Sequence, residues 1–499
     1  MPEERKKLIP RPPVVVVMGH IDHGKSSLLD YIRKTNLAAS EAGGITQHIA
    51  AYEVIHSTAE GTKQITFVDT PGHEAFCGVR LRGAEVADII ILAVSAEDGV
   101  KEQTLDALRC IKESGKPYVV ALTKIDKPTA DIPFAKQSLA EHEVYIEGHG
   151  GTVPAVPISS KTGEGVDALL DIICLMSELE NLTGEREADA RGVCLEALLD
   201  PRRGIQATLI IKNGTLKVGQ SVLCRGALAP VRFIESFDGR KIQSASFSSP
   251  VRITGWNKLP PAGYPFAGYK SKKEAERASA AAAEETPEPK TAAAADTEKI
   301  LPLIIKADTL GSLEAVEYEI KKIKNDKIRP EAIVRGIGQI TESDIKTALS
   351  AKGAPVLGFN VPVDETAKAL SERSNVAVHL FEVIYKLIEW LEEYVRLKTP
   401  VTLVEELKGS AKILKTFSRS KDRQIVGGKV EEGVVLVGQE VRVLRRGSEI
   451  GRGKLRNLEH NGQKAEEIKK GMEFGALIES KTELAALDRL EAVEMVAKQ

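Results

Sequence analysis

The sequence lacks the long apolar runs that cross membranes. Its 499 residues are 42% hydrophobic, yet no stretch of about 18 consecutive apolar residues occurs, which excludes a membrane-spanning helix. Its start, Met1 to Pro13, is charged and rich in proline and has no apolar centre of the kind found in a secretory signal. We therefore expect a cytoplasmic protein without a membrane partner, and 28% charged residues is ordinary for a soluble globular chain.

Cysteine is scarce and forms no recognisable pairs. The sequence has five cysteines, an odd number, and none of them belongs to a C-x-x-C pair. This pattern argues against a disulfide framework or a cysteine metal site and predicts reduced, buried thiols. The residues are Cys77, Cys110, Cys174, Cys194 and Cys224.

An excess of positive charge is also missing. The formal net charge is −2, so the chain as a whole does not attract nucleic acid. Any RNA contact would depend on local basic clusters, and the one near the C-terminus is equally well explained as the solvated edge of a barrel. That cluster consists of Arg442, Arg445, Arg446, Arg452, Lys454 and Arg456.

What the sequence does contain, from residue 14 to about 180, is an alternation of short apolar runs and helical stretches. Continuous apolar strands separated by helices indicate a parallel sheet covered on both faces, which is a doubly wound α/β domain. The strand runs are Val14–Met18, Ile65–Val68, Ile89–Val94, Tyr118–Thr123 and Val153–Ile158.

The remaining chain changes texture several times. Short β runs broken by Gly and Pro over residues 192–269 predict a small antiparallel barrel. Residues 270–298 have few large apolar side chains and predict a linker, disordered or loosely helical. Strand and helix then alternate over residues 300–397, ending in a long amphipathic helix, and the last hundred residues are again rich in β runs.

These patterns predict an α/β multidomain architecture. Its parts are an N-terminal tail (1–12), an α/β domain (13–185), an antiparallel β-barrel (190–269), a low-complexity linker (270–298), a small α/β/α domain (299–382), a long linking helix (383–398) and a C-terminal β-barrel (399–499). The segments LKVGQSVLCRG from residue 216 and LVGQEVRVLRRG from residue 436 share a local pattern, which suggests that the two barrels are related.

The strongest motif is a glycine-rich loop directly after the strand Val14–Met18. Its G-x-x-x-x-G-K-[ST] pattern lets backbone amides and the following helix N-terminus bind phosphate oxygens. We expect Lys25 to contact the β- and γ-phosphates and the Ser26 hydroxyl to ligate magnesium. A chance glycine-rich turn is the alternative, and the flanking strand and helix argue against it. The loop residues are Gly19, His20, Ile21, Asp22, His23, Gly24, Lys25 and Ser26.

A second motif, Asp69-Thr70-Pro71-Gly72-His73, follows the strand Ile65–Val68. Asp69 is placed to reach magnesium, and the Gly72 amide can sense the γ-phosphate. His73 is the catalytic candidate because it can orient the attacking water; a surface histidine on a turn is the alternative.

Between the first helix and the second strand, Thr46 occupies the place of the GTPase threonine that closes over magnesium. On its own a threonine carries little information, and its weight comes from its order along the chain.

The next motif indicates the choice of base. Thr123, Lys124, Ile125 and Asp126 stand at the end of a strand, and the Asp126 carboxylate can accept hydrogen bonds from N1 and N2 of guanine. Adenine offers no such pair, so a buried carboxylate left without it rejects ATP. Lys124 is expected to lie along the base and ribose. Four ordered elements at strand ends predict a P-loop GTPase domain that binds GTP and magnesium. The fourth, which offers a backbone amide to guanine O6, is Ser159, Ser160 and Lys161.

Taken together, Gly19–Ser26, Gly43–His48 and Asp69–His73 resemble the GTPase domain of translational GTPases. The runs Gly43–Tyr52 and Leu303–Ala315, with the order of domains, are similar to the bacterial initiation factor two family. The resemblance spans nearly the whole chain from about residue 12 and implies the compact core of such a factor.

The resemblance also implies a role. Such a factor guides initiator formylmethionyl-tRNA on the small ribosomal subunit, promotes joining of the two subunits, and hydrolyses GTP on the assembled ribosome. The implied partners are therefore the ribosome with its RNA and initiator tRNA, and we expect a monomer. Ile21 and Ile45 are implied as an apolar gate beside His73.

Several positions depart from the family pattern. Ser26 replaces a threonine with another hydroxyl, and Thr123 replaces an asparagine that would bind guanine N7 and brace the phosphate loop. In the C-terminal barrel, which holds the acylated tRNA end in the family, Gly428 and Phe474 replace two cysteines. The tRNA-end candidates are Gly428, Arg452, Lys454, Arg456, Glu473 and Phe474, with Glu459 and His460 where basic residues are usual.

Two alternatives of different kinds stay open. An elongation-type carrier of aminoacyl-tRNA is disfavoured by the small α/β unit and the long helix Val383–Leu397. A GTP-binding protein that docks on ribosomes with little turnover is disfavoured by His73. A metabolic P-loop kinase is excluded in practice by the two guanine motifs.

Overall fold

The computed structural model describes residues 8–34, 49–58, 61–283, 299–325, 327–399 and 402–498. The chain divides into two compact units, Met1–Val395 and Arg396–Gln499. No helix within the described residues is long and apolar enough to span a membrane.

The first domain is built on a six-stranded sheet with the order β3-β4-β2-β5-β6-β7. All neighbours are parallel except β3, which pairs antiparallel with β4. The strands are β2 (Val14–Gly19), β3 (Ala50–Thr58), β4 (Gly61–Asp69), β5 (Ile89–Ser95), β6 (Tyr118–Thr123) and β7 (Ala155–Pro157). The helices are α1 (Lys25–Arg33), α2 (Cys77–Val86), α3 (Glu102–Ser114), α4 (Ile132–Glu141) and α5 (Val166–Leu179), and a short 3-10 helix covers Glu74–Phe76.

The valine-rich strand β2 explains why this sheet is covered on both faces. Its successive side chains point to opposite faces, so Val14 and Val16 join one buried cluster while Val15 and Val17 join the other. A strand with two apolar faces is stable only between two layers of helices, which is the arrangement that its sequence predicts.

The second domain is an antiparallel sheet of eight strands with β13 and β15 at its two ends, in the order β13-β12-β18-β9-β10-β17-β14-β15. Its strands are β9 (Arg191–Asp200), β10 (Gly204–Asn213), β12 (Ser221–Cys224), β13 (Ala227–Pro230), β14 (Ile234–Ser236), β15 (Lys241–Ile242), β17 (Pro250–Thr254) and β18 (Pro265–Tyr269). Two small ribbons accompany it, β1 (Leu8–Pro10) with β8 (Thr183–Glu185) and β11 (Leu216–Lys217) with β16 (Ser244–Ala245).

A buried ion cluster joins the first two domains. Arg11 donates two hydrogen bonds to Asp88, at 2.6 and 2.7 Å, and Lys212 of β10 lies 2.9 Å from the same carboxylate. Burial alone would raise the pKa of Asp88, but the bonds from Arg11 and the charge of Lys212 lower it to about 2. The carboxylate therefore stays ionised and links both domains.

The predicted linker begins as an ordered helix. Helix α6 (Lys272–Ala283) packs on the second domain, where Ala275 is buried against Leu223 and Leu228. Alanine contributes high helix propensity, and one buried face suffices to hold the helix there. Residues 284–298 lie outside the described part of the chain.

The next domain is a four-stranded parallel sheet in the order β20-β19-β21-β22. Its strands are β19 (Lys299–Ala307), β20 (Ile328–Ile337), β21 (Val356–Phe359) and β22 (Val378–Phe381). Its helices are α7 (Leu310–Lys322), α8 (Glu342–Ser350), α9 (Glu365–Ser374) and α10 (Ile384–Lys398). One apolar cluster unites this domain with the first, since Phe76 and Val79 pack with Leu313 and Leu387.

The C-terminal domain is a closed antiparallel barrel. Its order β23-β30-β25-β26-β29-β24 returns to its start because β23 also pairs with β24. The strands are β23 (Thr402–Ser420), β24 (Arg423–Leu436), β25 (Glu440–Arg445), β26 (Ser448–His460), β27 (Gln463–Lys464), β28 (Glu467–Lys469), β29 (Glu473–Ser480) and β30 (Arg489–Lys498).

The two similar sequence segments fold in the same way. Gly219 and Gly438 both have positive φ, of 93° and 88°, at the turn before a strand. The glutamine that follows each glycine accepts a hydrogen bond from the amide three residues before it, Gln220 from Lys217 at 2.8 Å and Gln439 from Leu436 at 2.9 Å. The shared sequence pattern therefore specifies the same turn in both β domains.

Candidate functional site

The four sequence motifs meet at one edge of the first sheet. The loops after β2, β4, β6 and β7 all leave the carboxyl ends of parallel strands, and such ends lie at the same edge. Between them is a cavity of about 340 Å³. It is lined by Ile21, Asp22, Gly24, Lys25, Ser26, Ser27, Gly72, His73, Thr123, Lys124, Asp126, Lys127, Ser160 and Lys161.

The loop between β2 and α1 has the geometry of a phosphate cradle. Gly19 has φ +145°, and a Cβ there would lie 2.3 Å from the carbonyl oxygen of Ala93, so only glycine fits. Gly24 caps α1 with φ 80° and ψ 20°. The helix thus begins at Lys25, with its N-terminus beside the cavity, where amides and the helix dipole favour an anion.

The side chain of Lys25 lines the cavity beneath the phosphate loop. Its side chain is largely buried, and its Nζ donates to the carbonyl oxygen of His20 at 2.6 Å. Burial lowers the pKa of Lys25 to about 8, and the nearby charge of Asp69 opposes that shift. A Cβ on Gly72 would lie 2.7 Å from Nζ, so the ammonium and the Gly72 backbone are adjacent. Both predicted γ-phosphate contacts therefore occupy one corner of the cavity.

An arginine that sequence reasoning missed holds the segment after β4. The buried guanidinium of Arg80 in α2 donates to the carbonyl oxygens of Gly72, at 3.2 Å, and of His73. Thr70 anchors the same segment through a 3.1 Å hydrogen bond to Val17. Arginine suits this task because one planar group reaches several acceptors. An arginine on an otherwise apolar helix face was the available signal.

His73 is placed beside the cavity but is nearly enclosed, with 6% of its surface exposed. Its Nδ1 accepts the amide hydrogen of Ala75 at 2.9 Å. Burial lowers its pKa to about 4, with Glu74 opposing the shift. The imidazole is therefore neutral near pH 7, and the Ala75 bond leaves its proton on Nε2.

The base pocket is organised by Asp126 and Ser159. The Ser159 hydroxyl donates to Asp126 Oδ1 at 2.7 Å and accepts the Thr162 amide at 3.1 Å. Lys124 has φ +63°, and its Nζ lies 3.8 Å from the carboxylates of Glu97 and Asp98. Asp126 lines the cavity, and the bond from Ser159 holds its carboxylate in place.

Thr123 braces the phosphate loop, a task that the sequence resemblance gives to asparagine. The side chain is 1% exposed, and its hydroxyl donates to the carbonyl oxygen of His23 at 2.7 Å. A buried hydroxyl–carbonyl bond ties strand β6 to the loop, so the threonine keeps one of the two contacts expected of the amide.

Two predicted residues cannot be placed. Thr46 and Ile45 lie outside the described residues. The other gate residue, Ile21, lines the cavity and packs against Gly72, where a Cβ would meet its Cγ1 at 3.3 Å. Its amide donates to Gln103 at 2.8 Å, a helix α3 contact that the sequence did not indicate.

In the C-terminal barrel, two of the tRNA-end candidates, Gly428 and Phe474, lie against each other. Gly428 and Phe474 are paired across β24 and β29, and a Cβ on Gly428 would lie 2.8 Å from the Phe474 ring. Phe474 is 4% exposed and belongs to the barrel core. The Phe474 ring therefore occupies the space that the missing side chain of Gly428 leaves.

Several of the basic residues that are candidates for RNA contact in this barrel form ion pairs with carboxylates. Arg452 contacts Glu405 and Glu449, at 2.5 and 3.0 Å, and Arg456 lies 2.6 Å from Glu479. Arg442 and Arg445 pair with Glu491 and Asp488. Glu473 is exposed beside His460, whose ring contacts its carbonyl oxygen at 2.6 Å. These arginines fit the solvated barrel edge as well as an RNA surface.

The thiols follow the sequence prediction with one exception. All five cysteines are free, and four are buried, but Cys77 at the start of α2 is exposed. Among the described residues no cluster of three or more His, Cys, Asp or Glu side chains could hold a metal ion.

Comparisons with known proteins cover the same domains. Family models match in three segments: "Elongation factor Tu GTP binding domain" over residues 11–178, "Elongation factor G domain 2" over 189–267 and "Translation-initiation factor 2" over 273–392.

Relatives match along nearly the whole chain. Translation initiation factor IF-2 of Bacillus licheniformis is 40% identical, over 99% of this chain and 70% of its own length. The factor of Desulforamulus reducens is 39% identical, over 99% of this chain and 51% of its own length, so the chain spans about half of that relative. The solved structure of GDP-bound aIF5B from Aeropyrum pernix is 28% identical, covers 97% of this chain and 92% of that one, and has a TM-score of 0.48.

Proposed function

This chain belongs to the translation initiation factor IF-2 family of GTPases, and from that premise we propose how its residues perform the work of such a factor. It binds GTP with magnesium, brings initiator formylmethionyl-tRNA to the small ribosomal subunit, promotes subunit joining, and hydrolyses GTP on the assembled ribosome. It acts as a monomer. The observation that carries the proposal is the convergence of four guanine-nucleotide motifs on one cavity of about 340 Å³.

The cavity has one end that suits the phosphates of the nucleotide and one end that suits its base. At the phosphate end the N-terminus of α1 and the Lys25 ammonium meet negative charge, and the Gly72 backbone lies against that ammonium. At the base end the Asp126 carboxylate, fixed by Ser159, accepts the two guanine donors, while Ser160 and Lys161 line the same wall. Thr123 keeps the two ends in register through its bond to the phosphate loop.

The oxygen donors near the phosphate end fit a magnesium ion. Ser26 lines the cavity, and Asp69 is close enough to Lys25 to affect its pKa. Hydroxyl and carboxylate oxygens, completed by phosphate and water, are the ligands that magnesium prefers, so Ser26 and Asp69 would hold it, with Thr46 as the third candidate. Bound there, the ion would neutralise charge on the phosphates.

His73 supplies the protein's own contribution to hydrolysis. Its neutral imidazole at the edge of the cavity is suited to orient a water molecule toward the γ-phosphate once the ring turns from the Ala75 amide. Ile21, against Gly72, borders the path that the ring takes. Hydrolysis therefore depends on a rearrangement of the segment after β4, which is the step we assign to the ribosome.

The C-terminal barrel binds the acylated tRNA end, but less tightly than the family pattern implies and through different contacts. Since Phe474 fills the space beside Gly428, binding rests on surface cations: Lys454, and the arginines at 452 and 456 once they exchange their carboxylate partners for tRNA phosphates. Added salt should therefore strongly reduce the affinity of the barrel for the tRNA end. The test is protection of formylmethionyl-tRNA from ester hydrolysis by the full chain across a salt series; hydrolysis at the rate of free tRNA at every salt concentration would exclude this role.

The function as a whole is tested by GTP hydrolysis in defined mixtures. The chain is combined with small subunits alone, then with both subunits, each with and without initiator tRNA. We expect stimulation only when both subunits are present. GTP binding without stimulated hydrolysis would instead indicate a factor that docks on ribosomes with little turnover.

A further inference from the structure

The ring of His73 lies under an aromatic side chain from a distant part of the chain. Tyr385, in the first turn of α10, packs on it with ring centroids 4.5 Å apart and planes inclined by 62°. This edge-to-face geometry is favourable for an aromatic pair. Tyr385 is itself 42% exposed, so it covers the imidazole from the solvent side.

The domain that contains α7 and α10 also contacts the residues that follow His73. Glu74 forms an ion pair with Lys322 of α7, and Phe76 and Val79 belong to the apolar cluster of that domain. The turn that carries His73 is therefore held by contacts with α7 and α10 on one side.

In this position the imidazole contacts other parts of the protein and is not free to orient a water molecule. Nδ1 accepts the amide hydrogen of Ala75, and the ring packs edge-to-face against Tyr385. Rotation of the imidazole toward the γ-phosphate end of the cavity must break both contacts. The Ala75 contact lies within the loop, whereas the Tyr385 contact is lost when α10 moves.

Tyr385 acts through packing and not through charge. Burial raises its pKa, and the nearby charges of Asp22, Glu74 and Glu319 raise it further, so the phenol remains protonated near neutral pH. A phenylalanine would preserve the same contact with the imidazole, and alanine would remove it.

We propose that Tyr385 is a positioning residue that withholds His73 from the attacking water until α10 moves away. It makes hydrolysis dependent on displacement of α10, a step that the proposed function assigns to the assembled ribosome. The inference rests on the proposed function, since it takes His73 as the group that orients water.

The experiment measures ribosome-free, single-turnover GTP hydrolysis by the full chain. Tyr385→Ala should raise the rate about two- to tenfold, the factor that corresponds to loss of an aromatic pair worth about 0.5–1.5 kcal/mol. Tyr385→Phe should match the parent. Tyr394→Ala is the matched control, because Tyr394 stacks on Trp390 in the same helix at 5.0 Å and not on His73.

A spectroscopic readout separates positioning from general loosening. In histidine-labelled protein, the His73 ring protons should carry a ring-current shift that disappears in Tyr385→Ala and persists in Tyr385→Phe and Tyr394→Ala. The rate increase should also vanish when Tyr385→Ala is combined with His73→Ala. If Tyr385→Ala fails to fold, Tyr385→Leu keeps apolar bulk on the helix, and the same increase is expected of it.

Two results would overturn the assignment. A parent-like ribosome-free rate despite loss of the ring-current shift would mean that Tyr385 does not restrain His73, and a reduced rate would mean that it holds a productive position. A failure of the proposed function looks different, because ribosome-stimulated hydrolysis by the parent and by His73→Ala would then be equal.

Discussion

Thr123 offers a direct test of how the phosphate loop is held. Its buried hydroxyl donates to the His23 carbonyl at 2.7 Å. Thr123→Val keeps the branched shape but replaces that hydroxyl with a methyl group, so the carbonyl is left facing carbon. Leaving a buried acceptor unsatisfied costs about 1–3 kcal/mol. Because this bond joins two parts of the protein itself, most of this loss should appear as weaker order of the loop.

We expect two measurable consequences. Hydrogen exchange at the amides between Gly19 and Lys25 should accelerate, because local opening of the loop costs less free energy. Affinity for a fluorescent GTP analogue should fall about three- to tenfold, which is about 0.7–1.4 kcal/mol and hence a fraction of the lost bond. Binding is measured by titration and exchange by mass spectrometry.

The matched control is Thr58→Val. Thr58 makes a hydroxyl–carbonyl bond of similar length, 2.8 Å to Gly61, but on an exposed hairpin far from the cavity. It should change neither loop exchange nor affinity. If Thr123→Val bound the GTP analogue as tightly as Thr58→Val, and its loop amides exchanged as slowly, the bracing role of Thr123 would be refuted.

Three further predictions follow from single features. Asp126→Asn replaces an acceptor with a donor and should shift preference from guanosine to xanthosine triphosphate, with about 1–3 kcal/mol of discrimination lost; unchanged GTP binding would show that the pocket is misassigned. Cys77 should react with a maleimide before the other thiols, because it alone is exposed among them and a hydrogen bond from Cys110 lowers its pKa to about 6; peptide mapping checks this, and uniform labelling would contradict it. Burial lowers the pKa of His23 and His73 to about 4, below the ~6.5 of an unfolded chain. The unfolded state therefore binds more protons, and stability should fall as pH drops from about 6.5 toward 4. Denaturation of a variant with glutamine at both positions should show a flatter profile, and an equally steep one would exclude these histidines as the cause.

Local sequence patterns predicted those features that depend on neighbouring residues. The valine run of β2 specifies a strand with two buried faces, and the glycine spacing after it, between a strand and a helix, indicates a phosphate loop. The P-loop GTPase domain and the initiation factor family are confirmed by the comparisons. Such features are encoded within a few residues and can be found without knowledge of the tertiary structure.

Contacts between distant segments could not be predicted in this way. Nothing near His73 in the sequence indicates that Tyr385 packs on it. Phe474 illustrates the same limit, because only the cross-strand register shows that its ring fills the space beside Gly428. Edge strand β3 was also missed, since an edge strand buries one face only and lacks a continuous apolar run.

The central claim is that this chain hydrolyses GTP through His73 when it meets the assembled ribosome. The most direct measurement is GTP hydrolysis by the parent and by His73→Ala with both ribosomal subunits and initiator tRNA, alongside GTP affinity for each. We predict that affinity stays within about twofold while stimulated hydrolysis falls by roughly 10²-fold or more, the range for a positioned proton or water partner. An unchanged stimulated rate in His73→Ala would contradict this account of catalysis.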